Sequence, residues 1–105
     1  MREDRFISPE PLPEGIEREL LVILMEECAE VTQRASKALR FGVSEVQPGQ
    51  PHTNAERLTD EIGDLIAVLA RLTDEGGILN PVLIENAATK KEAKLEKYLQ
   101  SDPRP

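Results

Sequence analysis

Apolar residues along the chain recur at intervals of three and four, the spacing of a helix face, and show no sustained alternation of the kind a strand requires. From about Gly15 to Phe41 the residues Leu20, Leu24, Val31, Ala35 and Ala38 form one such stripe, and Gly42 stands where that helix would end. The stretch Val43 to His52 contains Pro48, Gly49, Gln50 and Pro51 and reads as a loop. Thr53 followed by Glu56 has capping-box spacing, in which two side chains satisfy free backbone N–H groups at a helix start. A second stripe then runs through Leu58, Ile62, Leu65, Leu69 and Leu72 and is closed by Gly76–Gly77. Asn80 as N-cap and Pro81 as first helical residue open a third segment, with Ile84, Ala88, Leu95 and Leu99 along one side.

The pattern predicts an all-α fold, a small helical bundle of three main helices occupying residues 14–100. Residues 1–13, with Pro9, Pro11 and Pro13, read as an irregular arm, for which a short helix near 8–14 is the one alternative, and residues 101–105 as a disordered tail. A chain of 105 residues has room for one domain, and a domain that small buries only about 60–65% of the surface its unfolded chain exposes. With aromatics at 3%, the core must be built from Leu, Ile, Val and Ala and is thin. Homo-oligomerisation, as a homodimer or homotetramer, is the expected source of the missing burial.

The formal net charge of -7 argues against binding to nucleic-acid backbones or anionic membranes, both of which call for clustered Lys and Arg. The longest apolar run, Leu20 to Met25, is far too short to span a bilayer, and no apolar signal core follows the N-terminal charges, so a cytoplasmic location is expected. The single Cys28 cannot form an intrachain disulfide and reads as core filler within a helical stripe.

Against this background the acidic residues stand out by position. The first helix carries Glu26, Glu27 and Glu30 and the second Glu61 and Asp64, giving E-E-x-x-E, a gap of thirty residues, then E-x-x-D. A spacing of three places two side chains on one helix face, and antiparallel packing would bring the two pairs together. At about 100° per residue, Glu27 falls between Ile23 and Leu20 on the rim of the apolar stripe, and Glu30 lies just outside Ile23. Glu61 falls between Val68 and Leu72, with Asp64 beside Val68. A lone acidic pair on a helix is ordinarily a solvated surface pair. Acids turned toward a core must instead be paired, protonated or bound to a cation, because burying an isolated ion costs several kcal/mol.

Arg34 shares the rim with Glu27 and can neutralise one acid at most. A hard divalent ion resolves the remaining repulsion, and an all-oxygen ligand set suits Mg²⁺ or Mn²⁺. A di-iron bundle would require Glu-x-x-His pairs, whereas the one histidine, His52, lies in the Pro/Gly loop. On the third segment Lys91 falls at the middle of the apolar arc, Lys94 at its rim and Lys90 further outward. Two readings of Lys91 stand side by side: a packed stem with its ammonium reaching water, or a contact to phosphate.

With EECAE at 26–30 and EIGD at 61–64, supported by SKALRFG at 36–42 and the lysine-rich last segment, the chain resembles the MazG-like all-alpha nucleoside triphosphate pyrophosphohydrolases over about Glu19 to Leu99. The resemblance implies hydrolysis of a (deoxy)nucleoside triphosphate to the monophosphate and pyrophosphate, with Mg²⁺ (or Mn²⁺ in its place) held by Glu27, Glu30, Glu61 and Asp64. By the same resemblance Glu26 would bind a further ion or orient the attacking water, and dimers or dimers of dimers would form. The gap between the acidic motifs is long for the family, and Pro48 to His52 accounts for the excess. Lys91, Lys94 and Arg34 are the candidate phosphate contacts.

The residue types point the same way independently. The sequence has no P-loop pattern, no Ser or Cys nucleophile constellation and no glycine-rich dinucleotide fingerprint, which leaves metal-assisted hydrolysis. Two alternatives remain open: a phosphoribosyl-ATP pyrophosphohydrolase on the same scaffold, and a catalytically silent helical dimerisation or adaptor protein.

Overall fold

The computed structural model describes residues 10–75 and 77–101, and these fold as three helices with no strand among them. Helix α1 runs Gly15–Phe41, α2 Asn54–Asp74 and α3 Pro81–Tyr98. Each starts or stops where local chemistry requires. Gly42 ends α1 with φ 103° and donates its N–H to the Ala38 carbonyl, a backbone conformation that favours glycine. At the start of α2 the Glu56 N–H donates to Thr53 Oγ1 at 3.1 Å and the Thr53 N–H donates to Glu56 Oε1 at 2.8 Å, completing the capping box. These bonds also hold the Glu56 carboxyl below its ordinary range. Asn80 Oδ1 accepts from both the Val82 and Leu83 N–H groups, and Pro81 opens α3.

Glu10 to Glu14 form no helix, so within the described residues the arm is irregular as expected; residues 1–9 and 102–105 lie outside the description, as does Gly76. The end of α2 falls at Asp74, just short of the paired glycines.

The segment between α1 and α2 is more ordered than a Pro/Gly loop suggests. Its ends are tied together by the Asn54 N–H donating to the Glu45 carbonyl and the Ala55 N–H to the Val43 carbonyl, both at 2.9 Å, and by a bridge between Val46 and Thr53. Asn54 fastens the closure. Its Nδ2 donates to the Gly42 carbonyl at 2.9 Å and to Glu45 Oε1 at 3.2 Å, and only 2% of the residue is exposed. The end of α1 is thereby fixed beside the start of α2, which makes the two helices an antiparallel hairpin.

Packing is concentrated in that hairpin. Among the described residues Leu20 and Ala38 on α1 and Leu72 on α2 are the buried apolar side chains, with Leu24, Val31, Leu58, Leu65, Val68 and Leu69 half-buried between them. The expected thin core is therefore thinner still. Two members of the sequence stripes, Ala35 and Ile62, are exposed, and so is Cys28, which is not core filler. These residues flank the line along which α1 meets α2, and one partner helix covers only a narrow strip of a helix surface. The third helix departs furthest from expectation: none of its residues is buried, and Ile84, Leu95, Tyr98 and Leu99 all face out. In one chain the three helices make a hairpin with a projecting arm and do not close into a bundle. No helix among the described residues is long and apolar enough to cross a membrane.

Candidate metal centre

The hairpin brings the two acidic motifs together. Glu27 and Glu61, both half-buried, and the exposed Asp64 each place one carboxylate oxygen so that the three lie within 4.8 Å of one another. The antiparallel hairpin lays the middle of one helix against the middle of the other: Glu27 sits fourteen residues before the end of α1, and Glu61 and Asp64 seven and ten residues beyond the start of α2, each in the central turns of its helix. Both distances measure from the same end of the hairpin, the one Asn54 fastens.

Glu27 carries the electrostatic strain. Its Oε2 is shut off from solvent and has no hydrogen-bond partner among the described residues. Its carboxyl is pushed above the ordinary glutamate value of 4.5, first by burial and then by the charges of Asp64, Glu61, Glu30 and Glu26. Glu30 is half-buried and Glu26 exposed; both act on Glu27 through their charge but stand outside the tight group of three. Arg34, able by its place on the rim to pair with one acid, forms no ion pair among the described residues. It is half-buried, and the ion pair formed among the described residues is Arg71–Glu75, on exposed side chains, while His52 Nδ1 lies 3.8 Å from Glu56 Oε1. His52 is thus a solvated partner of the helix cap, as its loop position suggested.

Lys91 and Lys94 are exposed on α3, and among the described residues neither is in an ion pair with the carboxylates. Lys91 does not face a core, because α3 has none to face.

The donor set can be tested against an ion. Neighbouring ligands on an octahedral Mg²⁺ stand about 3 Å apart and opposite ones about 4.2 Å, from ligand distances near 2.1 Å. A group spanning up to 4.8 Å is of that order of size, and its side chains would have to draw in slightly to share one ion. All three donors are carboxylate oxygens, which favours Mg²⁺ or Mn²⁺ over Zn²⁺ or copper. The buried, unpaired Oε2 of Glu27 is the kind of atom that a cation would satisfy.

Asn54 is the site-supporting residue that sequence reading passes over. Its signal was present: it stands one helical turn before Leu58, on the inward stripe, where a polar residue needs partners. No family model, curated protein or solved structure matches this chain.

Proposed function

We propose that the chain is a metal-dependent nucleotide pyrophosphohydrolase of the MazG-like all-alpha type, cleaving a (deoxy)nucleoside triphosphate to the monophosphate and pyrophosphate. One observation carries the reading: a buried, unpartnered Glu27 oxygen faces two further carboxylates across a helix hairpin, and among the described residues none of the three is in an ion pair. A surface cluster of acids would turn apart into water. This one is held at the helix–helix seam, where its repulsion is a standing cost unless a cation enters.

In this reading Glu27, Glu61 and Asp64 hold Mg²⁺ or Mn²⁺, and Glu30, one turn beyond Glu27, adds a fourth ligand. Exposed Glu26 binds a further ion or helps orient the attacking water. A bound divalent ion supplies neutralisation of phosphate charge and acidifies water. Arg34, half-buried one helical turn after Glu30 and in no ion pair among the described residues, meets a phosphate oxygen once substrate arrives. Lys91 and Lys94 are the further phosphate contacts. The protein works as a homodimer or homotetramer in the cytoplasm, and the many exposed large apolar residues of both hairpin and arm support assembly.

Calorimetric titration with Mn²⁺ or Mg²⁺ and a nonhydrolysable triphosphate tests the site. Binding to the wild type that is lost in Glu61→Gln is the expected result. Absence of binding to the wild type would leave the silent helical adaptor as the better account.

A further inference from the structure

Three bases of the hairpin differ from the rest in burial. Among the described residues Arg34, Lys37 and Arg57 are half-buried, whereas Arg18, Arg40, Arg71 and the four lysines of α3 are exposed. None of the three is in an ion pair among the described residues, although Glu30 stands one turn before Arg34, and Asp60 and Glu61 three and four residues after Arg57. Of the other acids near α2's start, Glu56 accepts from the Thr53 N–H and Glu45 Oε1 from Asn54 Nδ2. Drawing a cation out of water without an anion beside it costs free energy. Bases near the end of α1 meet the negative end of that helix dipole, which accounts for Arg40 and Lys37. No such account serves Arg57. It is the fourth residue of α2, beside the positive end of the dipole, where a cation is disfavoured.

Building on the metal-centre reading above, we infer that Arg57 joins Arg34 across the α1–α2 seam to form an anion subsite, in which two guanidiniums hold a phosphate group of the substrate two helical turns from Glu27 and Asp64.

Register places the two arginines together. Glu27, Glu30 and Arg34 on α1 have the spacing E-x-x-E-x-x-x-R, and Arg57, Glu61 and Asp64 on α2 have R-x-x-x-E-x-x-D, the same spacing in reverse. The two helices run in opposite directions, so reversed spacing sets like beside like. Glu27 and Asp64 meet across the seam. Arg34 lies seven residues beyond Glu27, and Arg57 seven residues before Asp64. Both steps are a shift of two turns, about 10 Å, toward the end that Asn54 fastens, and seven residues return nearly to the same helix face. Arg57 is thereby level with Arg34, as Asp64 is with Glu27. A seam of carboxylates repels a polyphosphate, and the formal net charge of -7 adds to that repulsion. Two guanidiniums at one end of the seam offset it where the phosphates lie. Their planar forks match phosphate oxygens, and their charge does not titrate in the ordinary pH range. A phosphate held there gives the half-buried charges of Arg34 and Arg57 the anion that neither has in the chain itself.

Calorimetric titration of the full chain with inorganic tripolyphosphate, at constant ionic strength and both with and without Mn²⁺, tests the subsite without requiring turnover. Arg57→Met keeps the apolar stem and removes the charge, Arg57→Lys keeps a charge and loses the fork, and Arg18→Met removes one charge from an exposed position elsewhere on α1. The expected result is a fall in tripolyphosphate affinity of about tenfold or more in Arg57→Met and in Arg34→Met, a smaller fall in Arg57→Lys, and little change in Arg18→Met. Equal affinity in wild type and Arg57→Met would make Arg57 a packed stem and overturn the proposal. An equal fall in Arg18→Met, or no tripolyphosphate binding by the wild type in either condition, would overturn it as well. Titration with Mn²⁺ alone separates this inference from the reading it rests on. Mn²⁺ bound alike by wild type and Arg57→Met, with tripolyphosphate affinity unchanged between them, refutes the subsite and leaves the metal centre standing. Tripolyphosphate binding that depends on Arg57, in protein that takes up no Mn²⁺, keeps the subsite and refutes the centre.

Discussion

Replacing Asn54 by alanine should loosen the hairpin at the end from which the metal centre is registered. The substitution removes the Nδ2 donor to the Gly42 carbonyl and to Glu45 Oε1, in a residue 2% exposed. A neutral hydrogen bond contributes about 0.5–1.5 kcal/mol and one to a charged group about 1.5–3 kcal/mol. The Glu45 bond is long and its acceptor only half-buried, so the lower ends apply and the loss is about 2 kcal/mol. For a domain of this size that corresponds to a fall in Tm of about 8–16 °C. Urea unfolding followed by circular dichroism gives the free energy directly, with protomer concentration held constant because assembly contributes to apparent stability. Asn54→Asp serves as the sharper companion. It keeps the shape, loses the donor and sets a second carboxylate beside Glu45, so it should be less stable than the alanine variant above pH 5. A loss below about 0.5 kcal/mol for Asn54→Ala, in the range of ordinary surface changes, would show that the loop closure does not depend on this side chain.

Glu27→Gln and Glu61→Gln should each abolish turnover and metal binding while leaving helicity intact and metal-free thermal stability equal or higher, as read by circular dichroism and calorimetry; near wild-type turnover in either would remove it from the ligand set. Because the Glu27 carboxyl titrates above its unfolded value, its protonated form stabilises the fold at low pH, and that contribution is lost as pH rises from about 4.5 through the folded value. Metal-free melting temperature should thus fall over that interval, less so in Glu27→Gln, and added Mn²⁺ should reverse the trend; an unchanged pH profile in Glu27→Gln would contradict it. Lys91→Met should lower kcat/KM by about tenfold to a thousandfold, or about 1.4–4 kcal/mol of transition-state stabilisation, without loss of thermal stability, while Lys90→Met behaves as wild type.

Helix number and helix ends were legible in the sequence because they depend on neighbours: Thr53 with Glu56, Asn80 with Pro81 and Gly42 after Phe41 are complete signals within a few residues. The meeting of Glu27 with Glu61 and Asp64 was legible too, since helical spacing and an antiparallel hairpin determine it. The place of α3 was not. Its stripe of Ile84, Ala88, Leu95 and Leu99 states that something covers it but carries no information on which chain supplies the cover. Cys28, Ala35 and Ile62 were misplaced for a related reason, as their stripes are wide enough for two neighbours and the hairpin provides one. Asn54 was overlooked because Asn at a helix start reads as part of the cap, while its role depends on a carbonyl twelve residues away.

The central claim is that the carboxylate seam works with a divalent ion on a nucleoside triphosphate. Its most direct measurement is phosphorus NMR of the products formed from a panel of ribo- and deoxynucleoside triphosphates with Mg²⁺. The account predicts nucleoside monophosphate and pyrophosphate in equal amounts for at least one substrate, with no diphosphate intermediate, and no reaction after chelation of the metal. Stepwise release of orthophosphate through the diphosphate, or no hydrolysis of any nucleotide by protein shown to bind Mg²⁺, would contradict it.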